Sequence, residues 1–216
     1  TPNSPAANEW SSFGSLARQF GKQLWMTETS GLANTWSGGF TYAKALYMAL
    51  KYGQLSAWVM WYTCDNLLTN GQLDKRGYSL AMFYKYVRPG AVMVECGSDD
   101  PEVLSVAFEH AANQTLSIVL INNGSGAKSV TLSGGNLPSF TAYRTSSSEN
   151  CQQVGTVSTT VSLPAQSITT LYGTGYAVGV ERSVRRSAVL RSSELRQHPA
   201  RFLTLRGRSL SACAQD

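Results

Sequence analysis

The chain has 216 residues, 43% of them hydrophobic and 14% charged, which suits one large domain or two small ones and excludes a disordered protein. Its formal net charge of +5 is confined to one end, because eight arginines and no lysine face three acids from Tyr176 onward, while residues 1–175 carry ten basic and ten acidic groups. A neutral body without a basic stripe gives no expectation of a nucleic-acid partner, and no segment approaches the ~18 consecutive apolar residues of a membrane span.

Residues 9–22 have the pattern of a short amphipathic helix stopped near Gly21. The run Gln23-Leu-Trp-Met-Thr-Glu28 then reads as a short buried strand that ends on a carboxylate, just before the turn Thr29-Ser30-Gly31. In a (β/α)8 barrel the chemistry sits on strand ends and the loops after them, so Glu28 is a candidate nucleophile or general acid. A strand simply meeting solvent has the same pattern. A second helix fits 40–52, where Phe40, Ala43, Tyr47 and Leu50 recur on one side and Gly53 is the stop. Leu55-Ser-Ala-Trp-Val-Met-Trp-Tyr62 is apolar on both faces, as a covered parallel strand is. Beyond a loop at 64–75, the run 78–87 is helical and is closed by Arg88-Pro89-Gly90. This α/β alternation supplies two strands, too few to close a barrel.

From Ala91 the texture changes to short alternating strands at 92–95, 104–108, 116–121, 129–132, 140–144 and 167–172, separated by turn residues such as Asn122-Asn-Gly124. Residues 90–175 are therefore expected to form an antiparallel β-sandwich. The arginine-rich tail 176–216 has no sustained period and is expected to be disordered or non-native. Four cysteines without a C-x-x-C pair, and two histidines remote from them, signal neither a metal nor another cofactor. Cys96 and Cys151 are either a disulfide or two small buried thiols. The opening Thr-Pro-Asn-Ser-Pro lacks a methionine and looks like the interior of a longer chain, so an export signal is expected upstream.

Leu24-Trp-Met-Thr-Glu28, Ala57-Trp-Val-Met-Trp-Tyr62, Lys75-Arg-Gly-Tyr78, Phe83-Tyr-Lys-Tyr-Val-Arg-Pro-Gly90 and Leu163-Pro-Ala-Gln-Ser-Ile-Thr-Thr-Leu171 follow one another in an order and spacing that resembles the C-terminal portion of glycoside hydrolase family 30, the xylanase-like and glucosylceramidase superfamily. The resemblance implies a (β/α)8 barrel with a side β-sandwich. Residues 1–89 would be the end of the catalytic barrel, with 23–28 as strand seven, 55–62 as strand eight and 76–87 as the last helix.

Glu28 matches the family's nucleophile, which forms a covalent glycosyl-enzyme intermediate. Retaining glycosidases hold a second carboxyl about 5–5.5 Å away. The family carries that acid/base on barrel strand four, upstream of this sequence, and places none at Asp65. Trp61 matches a tryptophan that packs against the sugar, and Tyr62 would offer a hydroxyl at the same rim. Trp25 and Trp58 suit the core better.

The resemblance thus implies a secreted hydrolase of a β-linked, xylan-type polysaccharide that lacks its N-terminal barrel half and is inactive alone. Glucuronoxylan-specific members place an arginine after the strand-eight tyrosine. Thr63-Cys64-Asp65-Asn66 stands there instead, which argues against a glucuronate-dependent enzyme. The alternatives are a non-catalytic carbohydrate-binding sandwich and a truncated product without function.

Overall fold

The computed structural model describes residues 6–177 and 202–209. The first part runs α1 (Ala7–Gln19), β1 (Trp25–Met26), α2 (Trp36–Met48) with a π-helical turn at Ala49–Gly53, β2 (Ala57–Trp58), α3 (Thr63–Asn66), β3 (Leu68–Thr69), β4 (Gln72–Leu73) and α4 (Lys75–Tyr84). Then follow β5 (Val92–Ser98), β6 (Val103–His110), β7 (Thr115–Asn122), β8 (Lys128–Ser133), β9 (Phe140–Thr145), β10 (Gln152–Val157), β11 (Thr160–Leu163), β12 (Ser167–Thr174) and β13 (Phe202–Ser209).

Local chemistry sets the helix starts. The Thr35 hydroxyl accepts from the Gly38 amide at 3.3 Å to cap α2, and the Asp74 carboxylate accepts from the Arg76 and Gly77 amides to cap α4. Past the end of α4, Gly90 turns the chain with a φ of 97°, a backbone state that costs glycine little.

The large sheet has the strand order β10-β9-β12-β7-β6-β5-β13-β8-β11. It folds over at β5, whose residues 92–94 pair antiparallel with β6 while residues 95–98 pair parallel with β13. A strand that changes partners partway along is how two sheets share a corner. The sandwich core between them holds Leu116, Ile118, Leu120, Phe140, Leu163 and Leu171.

Helices α2 and α4 cover the opposite face of the first sheet, where Phe40, Leu46, Leu80 and Phe83 meet Val106, Phe108, Val119, Ile121 and Ile168. Strand β7 is buried at every position as a result. Polar residues on the helix face turn to the helix backbone: Ser117 Oγ donates to the Tyr86 carbonyl at 2.7 Å and Thr170 Oγ1 to the Met82 carbonyl at 2.7 Å. The layers are helix, sheet and sheet, with β7 in the middle.

The strands depart from the expected bounds and number. Strands 23–28 and 55–62 shrink to the two-residue β1 and β2, because among the described residues each has only the other as a partner. Strands β10 and β11 were not expected; β10 is a polar, mostly exposed edge with a bulge at Val154, just before Gly155, whose φ is 131°. Cys96 and Cys151 are free thiols. Cys96 lies in the sandwich core, where burial pushes its thiol up to about 11, and Cys151 Sγ lies 3.4 Å from the Tyr86 hydroxyl. Of the tail expected to be disordered or non-native, residues 202–209 form β13 in the second sheet, and residues 178–201 and 210–216 lie outside the described residues.

Helices α2 and α4 cross closely at Gly39, where an added Cβ would meet the Lys75 carbonyl oxygen at 2.4 Å, whereas at Gly126 it would meet nothing within 4 Å. Gly39→Ala should cost about 1–3 kcal/mol in urea unfolding. Gly126→Ala should stay within about 0.5 kcal/mol of the parent.

Candidate active site at the ends of the parallel strands

The pairing of β1 and β2 is parallel, with Trp25 opposite Ala57 and Met26 opposite Trp58. Hydrogen bonds from Ser56 N to Leu24 O, Val59 N to Met26 O and Trp61 N to Thr29 O, all 2.8–2.9 Å, extend the two segments side by side beyond the strands proper. Parallel pairing forces their C-terminal ends to the same end of the molecule. Glu28, Trp61 and Tyr62 therefore gather there.

All three are exposed, Trp61 at 49% and Tyr62 at 61%. The two rings stand edge to face, with centroids 5.0 Å apart and planes at 81°. Tyr62 adopts φ 56° and ψ 85°, a left-handed state that disfavours a bulky residue and persists only where neighbours enforce it.

Asn66 enforces it. Its side-chain amide, buried at the end of α3, donates to the Trp61 carbonyl at 2.5 Å and the Tyr62 carbonyl at 3.3 Å, and its Oδ1 accepts from the Gly31 amide at 3.4 Å. One side chain thus ties the loop after Glu28 to the aromatic pair.

Arg76 holds the same loop from the other side. Its Nη1 donates to the Leu32 carbonyl at 2.9 Å, while the Leu32 amide donates to the Tyr42 hydroxyl at 3.2 Å. The guanidinium also pairs with Asp74, Nη2 to Oδ2 at 2.5 Å, and both side chains are over nine-tenths buried. Burial raises the Asp74 carboxyl, but hydrogen bonds from the Arg76 side chain, the Arg76 and Gly77 amides and Thr69 outweigh it and hold the group below the usual carboxylate range.

Asp74 is engaged by Arg76, and Glu9 accepts from the Ala6 amide at 2.6 Å at the start of α1. Asp65 lies within α3. Among the described residues no group of three His, Cys, Asp or Glu side chains is placed to hold a metal ion.

Sequence reasoning named Glu28, Trp61 and Tyr62 but missed Asn66 and Arg76 as the residues that position them. Trp25, expected in the core, is 57% exposed on β1. Beside this open face the buried indole nitrogens of Trp10 and Trp58 and the Thr29 hydroxyl have no hydrogen-bond partner.

Residues 90–171 match the Glycosyl hydrolase family 30 beta sandwich domain. Two glucuronoxylanases named XynC from Bacillus subtilis, one of them from strain 168, are 28% identical over 165 residues and 30% identical over 167, spans that make up 69% of this chain and 39% of theirs. A solved GH30 endoxylanase from Clostridium papyrosolvens C71 superposes with a TM-score of 0.69 at 30% identity, covering 79% of this chain and 46% of that one. The GH30 subfamily 8 xylanase Xyn30A from Clostridium acetobutylicum gives 0.65 at 25% identity, covering 74% and 45%. The chain spans about two fifths of the length of the curated relatives it matches.

Replacing Asp74 with Asn would leave the Arg76 charge buried without its partner, and the expected cost is about 3–5 kcal/mol near neutral pH. Because the folded carboxyl lies below its unfolded value, its contribution is complete above about pH 4 and is lost as the pH falls further. Chemical denaturation of parent and Asp74→Asn chains at several pH values should show the gap closing on the acid side.

Proposed function

The chain carries the C-terminal β-sandwich domain of glycoside hydrolase family 30, and from that premise we propose that it is part of a secreted retaining glycosidase that cleaves a β-linked, xylan-type polysaccharide with Glu28 as nucleophile. The observation that carries this reading is the parallel pairing that sets one exposed carboxylate and two exposed aromatic rings at the same strand ends. Strand ends of that kind are where a (β/α)8 barrel does its chemistry. In this reading 24–29 and 56–61 belong to barrel strands seven and eight.

Hydrolysis with retention takes two carboxyl groups. Glu28, ionised, attacks the anomeric carbon as the glycosidic bond breaks, and a glycosyl ester forms on its side chain. A second, protonated carboxyl gives its proton to the leaving oxygen and then takes one from the water that cleaves the ester. Trp61 supplies an apolar face for the C–H-rich side of a pyranose and Tyr62 a hydroxyl at the rim. The second carboxyl belongs to the N-terminal barrel half, which is the partner of this chain and would cover the open face beside Trp25. On its own the chain does not turn over substrate.

The residues after Tyr62 bear on the choice of xylan. Thr63-Cys64-Asp65-Asn66 offers no guanidinium to pair with a glucuronate, so unsubstituted xylan is the substrate proposed. The alternative of a purely carbohydrate-binding sandwich finds little surface to work with. Phe108 and Phe140 are buried, and Tyr143 and Tyr172 pack against Tyr86 with ring centroids 4.7 and 5.6 Å away.

The test mixes this chain with a separately expressed N-terminal half of a related family 30 enzyme and follows xylan hydrolysis. Activity is expected in the mixture and in neither part alone, and Glu28→Gln should reduce it to background. Trp61→Ala should raise KM about tenfold, the equivalent of about 1.4 kcal/mol of lost stacking. Full activity in the Glu28→Gln mixture would refute the assignment. On glucuronate-substituted and unsubstituted xylan, the active mixture should show no requirement for the substituent.

A further inference from the structure

The sequence holds two Asn-Gly steps, Asn70-Gly71 and Asn123-Gly124. Such a step is chemically weak, because asparagine is thermolabile and glycine has no side chain to shield its amide nitrogen from the residue before it. The fold treats the two in opposite ways.

At Asn123 the attacking nitrogen and the side chain under attack are both engaged. The Gly124 amide donates to Asn122 Oδ1 at 3.0 Å, and Asn123 Oδ1 accepts from Lys44 Nζ at 3.1 Å. The Asn123 amide is itself bonded to the Glu102 carbonyl at 2.8 Å. Gly124 is buried, and a Cβ added there would meet the Glu102 carboxylate at 2.8 Å.

Asn70-Gly71 is the two-residue turn of the β3–β4 hairpin. Thr69 pairs with Gln72 around it, and the φ values of 52° and 76° are the left-handed pair of a type I′ turn. Turn residues stand outside the ladder, so the Gly71 amide is left to solvent. Residues 69–73 are all exposed, and a Cβ added at Gly71 would meet nothing within 4 Å. The ladder has only the rungs Leu68–Leu73 and Thr69–Gln72. So short a ribbon opens locally at little cost, which lets the Asn70 side chain and the Gly71 nitrogen turn toward each other.

Thr69 makes the hairpin matter to the candidate site. Its hydroxyl accepts from Asn34 Nδ2 at 3.3 Å and donates to Asp74 Oδ2 at 3.1 Å, tying the hairpin to the loop after Glu28 and to the start of α4.

We infer that Asn70-Gly71 is a site of spontaneous deamidation, and that its conversion to isoaspartate releases Thr69 from the loop after Glu28. The Gly71 nitrogen bonds to Cγ of Asn70, the Cγ–Nδ2 bond breaks, and ammonia leaves with the proton given up by the Gly71 nitrogen. Water then opens the resulting succinimide at either carbonyl, giving aspartate or isoaspartate. Aspartate keeps the turn, since its short side chain tolerates the left-handed state. Isoaspartate routes the main chain through its Cβ, and the lengthened turn no longer closes the Thr69–Gln72 rung. This holds whether or not Glu28 is a nucleophile.

The test holds the full chain, folded and in urea, at mildly alkaline pH and follows both steps by peptide mapping. In urea the two should react at similar rates. In the folded chain Asn70 should convert while Asn123 lags by about tenfold or more, because its reaction waits on opening of the sheet. Folded chain carrying isoaspartate at position 70 should exchange the amides of 31–35 about threefold or more faster than unmodified chain, with 116–121 still protected. An unreactive Asn70, equal rates for the two steps in the folded chain, a difference that persists in urea, or unchanged exchange at 31–35 would overturn the inference.

Discussion

The constraint on which the molecule rests is that β7 has no solvent face. Leu116, Ile118 and Leu120 point into the sandwich while Val119 and Ile121 pack under α2 and α4, so one strand carries two hydrophobic interfaces at once. A strand buried on both sides must satisfy its polar groups within the protein. Ser117 does this by bonding to the backbone near the end of α4. On β12 beside it, Thr170 does the same one helical turn earlier. The helices are thereby fixed to the sheet by direction as well as by apolar contact, and the start of α4 is carried to the place where Arg76 holds the loop after Glu28.

The candidate site inherits its order from that platform. Lys75, the first residue of α4, reaches the β9–β10 turn, where its ammonium donates to the carbonyls of Ser146 and Glu149 and to Asn150 Oδ1 at 2.7–3.0 Å. Arg76, the next residue, faces the other way and binds Leu32. Two consecutive cations at one helix start therefore connect the sandwich to the loop that follows Glu28. The sandwich in this chain takes part in holding the candidate site in place.

How much of this was legible in the sequence depended on the range of the interactions. Period-two alternation is a local signal, and it marked β5 to β9 and β12 from their own residues. It failed for β10, where Gln152 and Gln153 are followed by a bulge, and for β13, where the surrounding excess of arginine hid the alternation of 203–208. The aromatic and carboxylate residues of the site stood out through their likeness to family motifs, since a strand ending in Glu is common. Asn66 and Arg76 gave no local signal, because they act across 35 and 44 residues of chain on Gly31 and Leu32. An asparagine in a short helix and an arginine after a capping aspartate look ordinary until the loop they hold is in view. The disulfide question was equally closed to sequence, since it turned on Cys96 and Cys151 falling in different apolar clusters.

The division of β5 between two sheets also fixes an order of assembly. Its first three residues find their partners in β6, within one hairpin, whereas its last four pair with residues 202–205 at the far end of the chain. During synthesis the first sheet and the helices on it can condense as soon as β12 has emerged, while the inner edge of β8 waits for β13. Contacts this distant in sequence form slowly, and an unpaired edge is open to any other extended chain until they do. The newly made protein is therefore most vulnerable to association through its second sheet, in the interval between the emergence of β12 and the arrival of β13.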